Sequence, residues 1–182
     1  MNRFFLLLCL LCAGPLSADE AAWAAWREGK AVLIMRHALA PGTGDPAHFK
    51  LADCATQRNL NAQGRAQAAA WGKLLRQQYN GKIALYSSQW CRCLETAELM
   101  AVAQVQPLPA LNSFFAGRGD RQQQTRALLQ RFAVAELPEP TVLVSHQVNF
   151  TALTGYFPAS GEAAIVALPL TAPATVLAKI TP

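Results

Sequence analysis

Ala31-Val32-Leu33-Ile34-Met35-Arg36-His37 runs from an unbroken apolar segment straight into two ionisable residues. A short continuous apolar run of this kind suits a strand buried on both faces, as in a parallel sheet covered by helices. Ala31–Met35 reads as the first buried strand, following a short helix expected around Ala21–Glu28. Two more segments repeat the pattern of apolar run and polar ending. Ile83–Tyr86 leads into Ser87-Ser88, and Thr141–Val144 leads into Ser145-His146-Gln147. Ala163–Leu168 and Val176–Ile180 read as further strands, and the prolines around them suggest sheet edges.

Between these runs lie longer stretches with apolar residues at helical spacing: Asn61–Gln78, Cys91–Val105 and Arg121–Ala135. Asn59-Leu60-Asn61 supplies capping chemistry for the first of them. Strand alternating with crossover helix predicts an α/β fold, a three-layer α/β/α sandwich around a mainly parallel central sheet. The segment Ala38–Arg58, rich in Gly, Pro and Asp, is expected to be a long functional loop. No repeat, low-complexity tract or linker divides the chain.

The first residues, MNRFFLLLCLLCAGPLSA, place Arg3 before an apolar run, then Gly14 and Pro15, then the small Ala18. This is the layout of a cleavable export signal over 1–18, which leaves 19–182 as one domain and a periplasmic or secreted location. The apolar run is about half the ~20 residues a spanning helix needs, so no integral membrane span is expected. The chain carries a formal charge of +5, with its Lys and Arg scattered rather than clustered. That balance favours anionic ligands without pointing to nucleic acid. Cys9 and Cys12 lie in the signal, leaving Cys54, Cys91 and Cys93. In an oxidising compartment at most one internal bridge is possible, and Cys91 and Cys93 are too close together to form it comfortably. Cys54 is therefore expected to pair with one or the other.

Parallel sheets bind ligands outside the carboxyl ends of their strands. Arg36-His37, Ser87-Ser88 with Arg92 behind it, and Ser145-His146 all stand at such ends, so they are expected to form one site. Their chemistry suits phosphoryl transfer. A neutral imidazole is nucleophilic near neutral pH and forms covalent intermediates. Guanidinium forks neutralise the non-bridging oxygens as charge spreads over them. The first turn of the helix carrying Arg92 is expected to add backbone N–H donors. The chain has three histidines, and none sits among carboxylates at metal-ligand spacing, so neither metal nor cofactor is expected.

Taken together, these motifs resemble the histidine phosphatase superfamily, the phosphoglycerate-mutase-like fold. The hallmark Arg-His-Gly is seen as Arg36-His37-Ala38, and the second Arg follows Ser-Ser as Ser87-Ser88-Gln89-Trp90-Cys91-Arg92. The second His ends Leu143-Val144-Ser145-His146. Thr56-Gln57-Arg58-Asn59-Leu60 resembles the stretch that opens the family's first long helix, and the likeness runs from about Ala31 to Leu168. The resemblance implies that His37 becomes phosphorylated, that Arg36 and Arg92 bind the phosphoryl oxygens, that His146 completes the pocket, and that water releases the phosphate. Arg58 is a further candidate for substrate contact, although bracing of the loop suits its position better. The signal, the short chain and Cys54-x-x-Gln57-Arg58-Asn59-Leu60 resemble a small periplasmic branch. That branch includes proteins assigned to removing phosphate from heptose of lipopolysaccharide core. The implied partner is a small phosphorylated substrate, such as an envelope glycan.

Two positions depart from the pattern. Ala38 replaces Gly, which matters only if the backbone there needs a conformation reserved for Gly. The carboxylate that should protonate the leaving oxygen is missing from Leu111–Phe115; Asp120 is the first candidate, with Asp45 and Glu162 as rivals. These departures keep two alternatives open: a phosphohistidine or phosphoprotein phosphatase, which needs no strong acid, and a phosphate-binding protein without turnover.

Overall fold

Ala31, Leu33 and Met35 project to one side of their strand, Val32 and Ile34 to the other, and all five are buried. The first set packs in a cluster with Trp23, Trp26, Trp71, Leu75 and Trp90. The second packs with Leu128, Phe132, Phe150 and Leu153. One strand thus feeds two cores, which places it centrally in a three-layer molecule. The computed structural model describes residues 18–182. The expected export signal lies outside them except for Ala18, which opens a helix.

The strands are β1 (Ala31–Arg36), β2 (Ala84–Ser87), β3 (Val105–Pro107), β4 (Thr141–Ser145), β5 (Ala163–Ala167) and β6 (Val176–Ile180), ordered β3-β2-β4-β1-β5-β6. β1, β2, β3 and β4 pair in parallel; β5 runs antiparallel to β1 and to β6. The edges are β3 and β6. The proline argument therefore holds for β6 and fails for β5, whose partners flank it on both sides.

Helices α1 (Ala18–Arg27), α2 (Ala62–Gln78) and α3 (Cys91–Met100) cover one face; α4 (Arg121–Arg131) and α5 (Gln147–Thr154) cover the other. Asn61 caps α2 by accepting from the Gly64 amide. Two predicted helices end early. α3 stops at Met100 because Ala101 turns left-handed (φ 52°), freeing Val105–Pro107 to pair with β2. α4 stops at Arg131, and the carbonyl of Phe132 accepts instead from the Leu170 amide. The short α5 and β3 were not expected from the sequence. Among the described residues no helix is long and apolar enough to cross a membrane.

Candidate active site

In the register of the sheet, Arg36 lies opposite Ser145, and Ser87 lies opposite Val144. The carboxyl ends of β1, β2 and β4 are therefore neighbours, and each launches one part of the site. His37 leaves β1 with its amide donating to the Ser145 carbonyl at 2.8 Å, and its own carbonyl accepts from Gly161 at 3.0 Å. Arg92 sits in the first turn of α3, just beyond β2, and His146 stands between β4 and α5. His37, Arg92 and His146 are all buried.

Their hydrogen bonds fix the imidazole tautomers. Nδ1 of His37 lies 2.7 Å from the Ala38 carbonyl, which can only accept, so this nitrogen carries the proton. Nε2 is left with its lone pair and accepts from Nε of Arg92 at 3.1 Å. Nδ1 of His146 faces Nη2 of Arg92 at 3.4 Å and is likewise the acceptor. Its Nε2 therefore carries the proton and donates to Oγ of Ser88 at 2.8 Å. Burial first, and the charge of Arg92 second, push both histidines well below the usual value of 6.5. Both are neutral at pH 7, so His37 presents an uncharged, nucleophilic Nε2.

Ala38 is not among the residues with positive φ, so replacing Gly costs no backbone strain there. Its amide donates to Oγ1 of Thr96 at 3.1 Å, and that hydroxyl donates to the Arg92 carbonyl at 2.6 Å. The loop leaving His37 is thus tied to the helix that carries Arg92. Arg36 is half-buried and places Nη1 on the Pro158 carbonyl at 3.0 Å, while its buried Nε has no partner. A donor with no protein acceptor beside two neutral imidazoles suits an anionic ligand.

Arg36, His37, Arg92 and His146 line one open cleft. Arg58 lines it too and braces the loop: Nε donates to Gly44 at 2.9 Å, and Nη1 donates to Ala40. Burial, then repulsion from Arg92, lowers its pKa to about 10, which leaves it cationic. Phe115, Phe157 and Arg118 form the mouth. Trp90 sets its ring edge against His146 with centroids 5.4 Å apart and stacks on Phe49. Trp71 is a core residue, and His48 is exposed away from the cleft.

Three expectations change. Asp120 does not line the cleft: its carboxylate caps α4, accepting from the Gln123 amide at 2.8 Å. Glu162 accepts from the Ala159 amide and also stands outside. Asp45 is the carboxylate that reaches the cleft, drawn there by Arg92 at 2.7 Å. Finally, the α3 N-terminus has already committed its Cys91 amide, to Oε1 of Gln57. The expected bridge forms between Cys54 and Cys91, and Cys93 is a buried free thiol beside His146. Burial pushes that thiol up to about 12.

The sequence model described as Histidine phosphatase superfamily (branch 1) matches residues 32–133, more than half of the chain. The chain belongs to this superfamily. No curated protein sequence matches it. Solved phosphatase structures resemble it over most of its length. One is the protein histidine phosphatase SixA complexed with tungstate, at 19% identity and TM-score 0.58, with 83% of this chain and 96% of that one covered. Another is mycobacterial glucosyl-3-phosphoglycerate phosphatase complexed with VO3, at 16% identity and TM-score 0.58, covering 81% and 98%. A third is phosphoserine phosphatase from Entamoeba histolytica in complex with 3-phosphoglyceric acid, at 12% identity and TM-score 0.59, covering 84% and 97%. At these identities the likeness establishes the phosphoglycerate-mutase-like fold.

Proposed function

We propose that the chain is a metal-independent phosphohydrolase in which His37 is the nucleophile. The observation that carries this reading is the tautomer of His37, whose unprotonated Nε2 faces the buried Arg92 in a cationic cleft. The Nε2 lone pair leaves the Arg92 Nε–H and attacks phosphorus, forming the P–N bond as the P–O bond to the leaving group breaks and the departing oxygen takes a proton from solvent. Arg36 and Arg92 neutralise the non-bridging oxygens, and the first turn of α5 adds the positive end of its dipole at Gln147 and Val148. A dianion beside His146 raises the pKa of that imidazole, so it gains a proton at Nδ1 and donates it in a hydrogen bond to the phosphoryl group. Water then attacks phosphorus, the P–N bond breaks, and His37 and inorganic phosphate are released.

For the substrate, the mouth offers exposed rings at Phe115 and Phe157 with Arg118 between the loops. Ring faces pack against the apolar faces of sugars, which favours a phosphorylated sugar of the cell envelope. Export rests on the character of residues 1–18 and on the Cys54–Cys91 bridge, since disulfides persist in oxidising compartments. A phosphohistidine or phosphoprotein substrate is the second reading. It is favoured by the commitment of Asp120 and Glu162 to backbone amides, because a good leaving group dispenses with a strong acid.

The test is hydrolysis of para-nitrophenyl phosphate, phosphorylated heptoses and a phosphohistidine peptide, with chelator present, by the wild type and by His37→Ala. Chelator-insensitive turnover that vanishes in the variant is expected, and the preferred substrate separates the two readings. Phosphate binding without turnover of any of the three would identify a binding protein instead.

A further inference from the structure

Arg92 has five N–H donors, and all five are engaged. Nε–H goes to His37, Nη1 to Asp45 and the Arg58 carbonyl, and Nη2 to Asp45 and His146. A phosphoryl oxygen can reach this guanidinium only by taking a place now held by one of these acceptors. His37 vacates only Nε–H as its lone pair turns to phosphorus, and the Arg58 carbonyl is backbone, so the two-pronged Nη face is opened by displacing the Asp45 carboxylate. It lies across the fork at 2.7 and 3.2 Å, the bidentate geometry that carboxylates and phosphoryl groups share. The Arg58 amide and the Trp90 indole N–H complete its shell at 3.0 and 3.2 Å, and its side chain is 4% exposed. Every polar partner of this carboxylate is a donor, as the partners of a bound phosphoryl group would be.

Asp45 also sits on a glycine-containing turn whose Gly44 carbonyl accepts from Arg58 and whose Asp45 and Pro46 carbonyls accept from Arg118. Gly42 and Gly44 hold φ of +91° and +68°, so the turn that presents Asp45 depends on two left-handed glycines. The chain contact nearest a Cβ at Gly44 would be a Phe115 ring carbon at 3.6 Å, an ordinary contact, so an alanine there meets no clash and strains only the backbone.

We propose that Asp45 is an internal ligand of the phosphoryl subsite, which substrate must displace from Arg92 before His37 can be reached. The inference rests on the reading of this cleft as the phosphoryl site. Asp45 then sets the affinity threshold. If the carboxylate holds the fork about nine-tenths of the time, the observed anion affinity falls about tenfold below its intrinsic value.

The experiment is calorimetric titration of the purified protein with inorganic phosphate, beside thermal unfolding with and without phosphate. Asp45→Asn is expected to bind phosphate about tenfold more tightly, to melt lower without phosphate, and to gain more from it. Gly44→Ala keeps both charges and strains only the turn; it is expected to tighten binding in the same direction, and it carries the test if Asp45→Asn fails to fold. A merely structural Asp45 predicts weaker phosphate binding on its removal. A proton-donating one predicts unchanged binding and a lower kcat. Either result overturns the inference. Phosphate binding that is Arg92-dependent but insensitive to both loop variants overturns the inference alone, whereas no phosphate binding in any of these proteins removes the site reading with it.

Discussion

Arg92 concentrates the site's contacts at the scale of single residues, because one planar fork touches the proposed nucleophile His37, the second histidine and the loop carboxylate. Lysine would keep the charge and lose this geometry. Arg92→Lys is therefore expected to lower kcat/KM by about 10²-fold or more, on the scale of losing one oriented donor to the transition state; steady-state kinetics on an aryl phosphate would show it. Asp120, by contrast, acts on a helix. Asp120→Ala removes the α4 cap and is expected to cost about 1 kcal/mol of stability while kcat stays as it was. A large fall in kcat would return it to the site. Arg36, His37 and His146 were legible as neighbours because each follows an apolar run at the sheet's carboxyl edge, and Arg92 because it opens the helix after another such run. Asp45 as the partner of Arg92 was not. It lies in an irregular loop, 47 residues from the arginine it binds, where no periodicity or strand end marks it.

Elements meet most closely where α2 packs on its neighbours. A Cβ at Gly72 would stand 2.0 Å from the Met100 carbonyl oxygen, and one at Gly64 would stand 2.2 Å from that of Leu39. Helix propensity alone would reward Gly72→Ala by up to about 1 kcal/mol. Overpacking against immovable backbone costs about 1–3 kcal/mol, so the variant is expected to be destabilised on balance, as a denaturant titration would measure. The Cys54–Cys91 bridge closes the loop holding Arg58 onto the start of α3. Reducing it is expected to lower stability by about 2–4 kcal/mol, with the buried Cys93 thiol unreactive until the protein unfolds. An unchanged melting curve after reduction would deny the bridge any stabilising role. The element boundaries that the sequence misplaced share a cause. β3 is a three-residue strand that exists by pairing with β2, and α5 buries Asn149, Phe150 and Leu153 with little amphipathic pattern to betray it.

For the whole molecule, the sheet was legible because strands buried on both faces read as apolar runs, and the crossover helices between them have the usual period. What the runs do not encode is direction, so the antiparallel β5 and β6 needed the structure. Burying two neutral histidines also makes the fold acid-sensitive. Their folded pKa values lie well below 6.5, so the unfolded chain binds more protons than the folded one in the acid range. Stability is then full above about pH 6.5 and falls as pH drops below it. Asp45 adds to the loss at lower pH. Burial would raise its pKa, but Arg92, the Arg58 amide and Trp90 outweigh burial and hold it below the ordinary value. Melting temperatures are expected to be flat from neutral pH upward and to decline in acid, less steeply in His37→Asn. A wild-type curve flat to pH 4 would contradict the neutral assignment.

The central claim is that His37 carries the phosphoryl group, and trapping that group tests it most directly. Wild-type protein mixed with a phosphate ester, quenched in alkali where phosphohistidine survives, and digested for mass spectrometry should yield the peptide containing His37 with one added phosphoryl group. His37→Ala should yield none. Turnover by the wild type with no phosphorylated His37 peptide, or equal turnover by His37→Ala, would contradict the account.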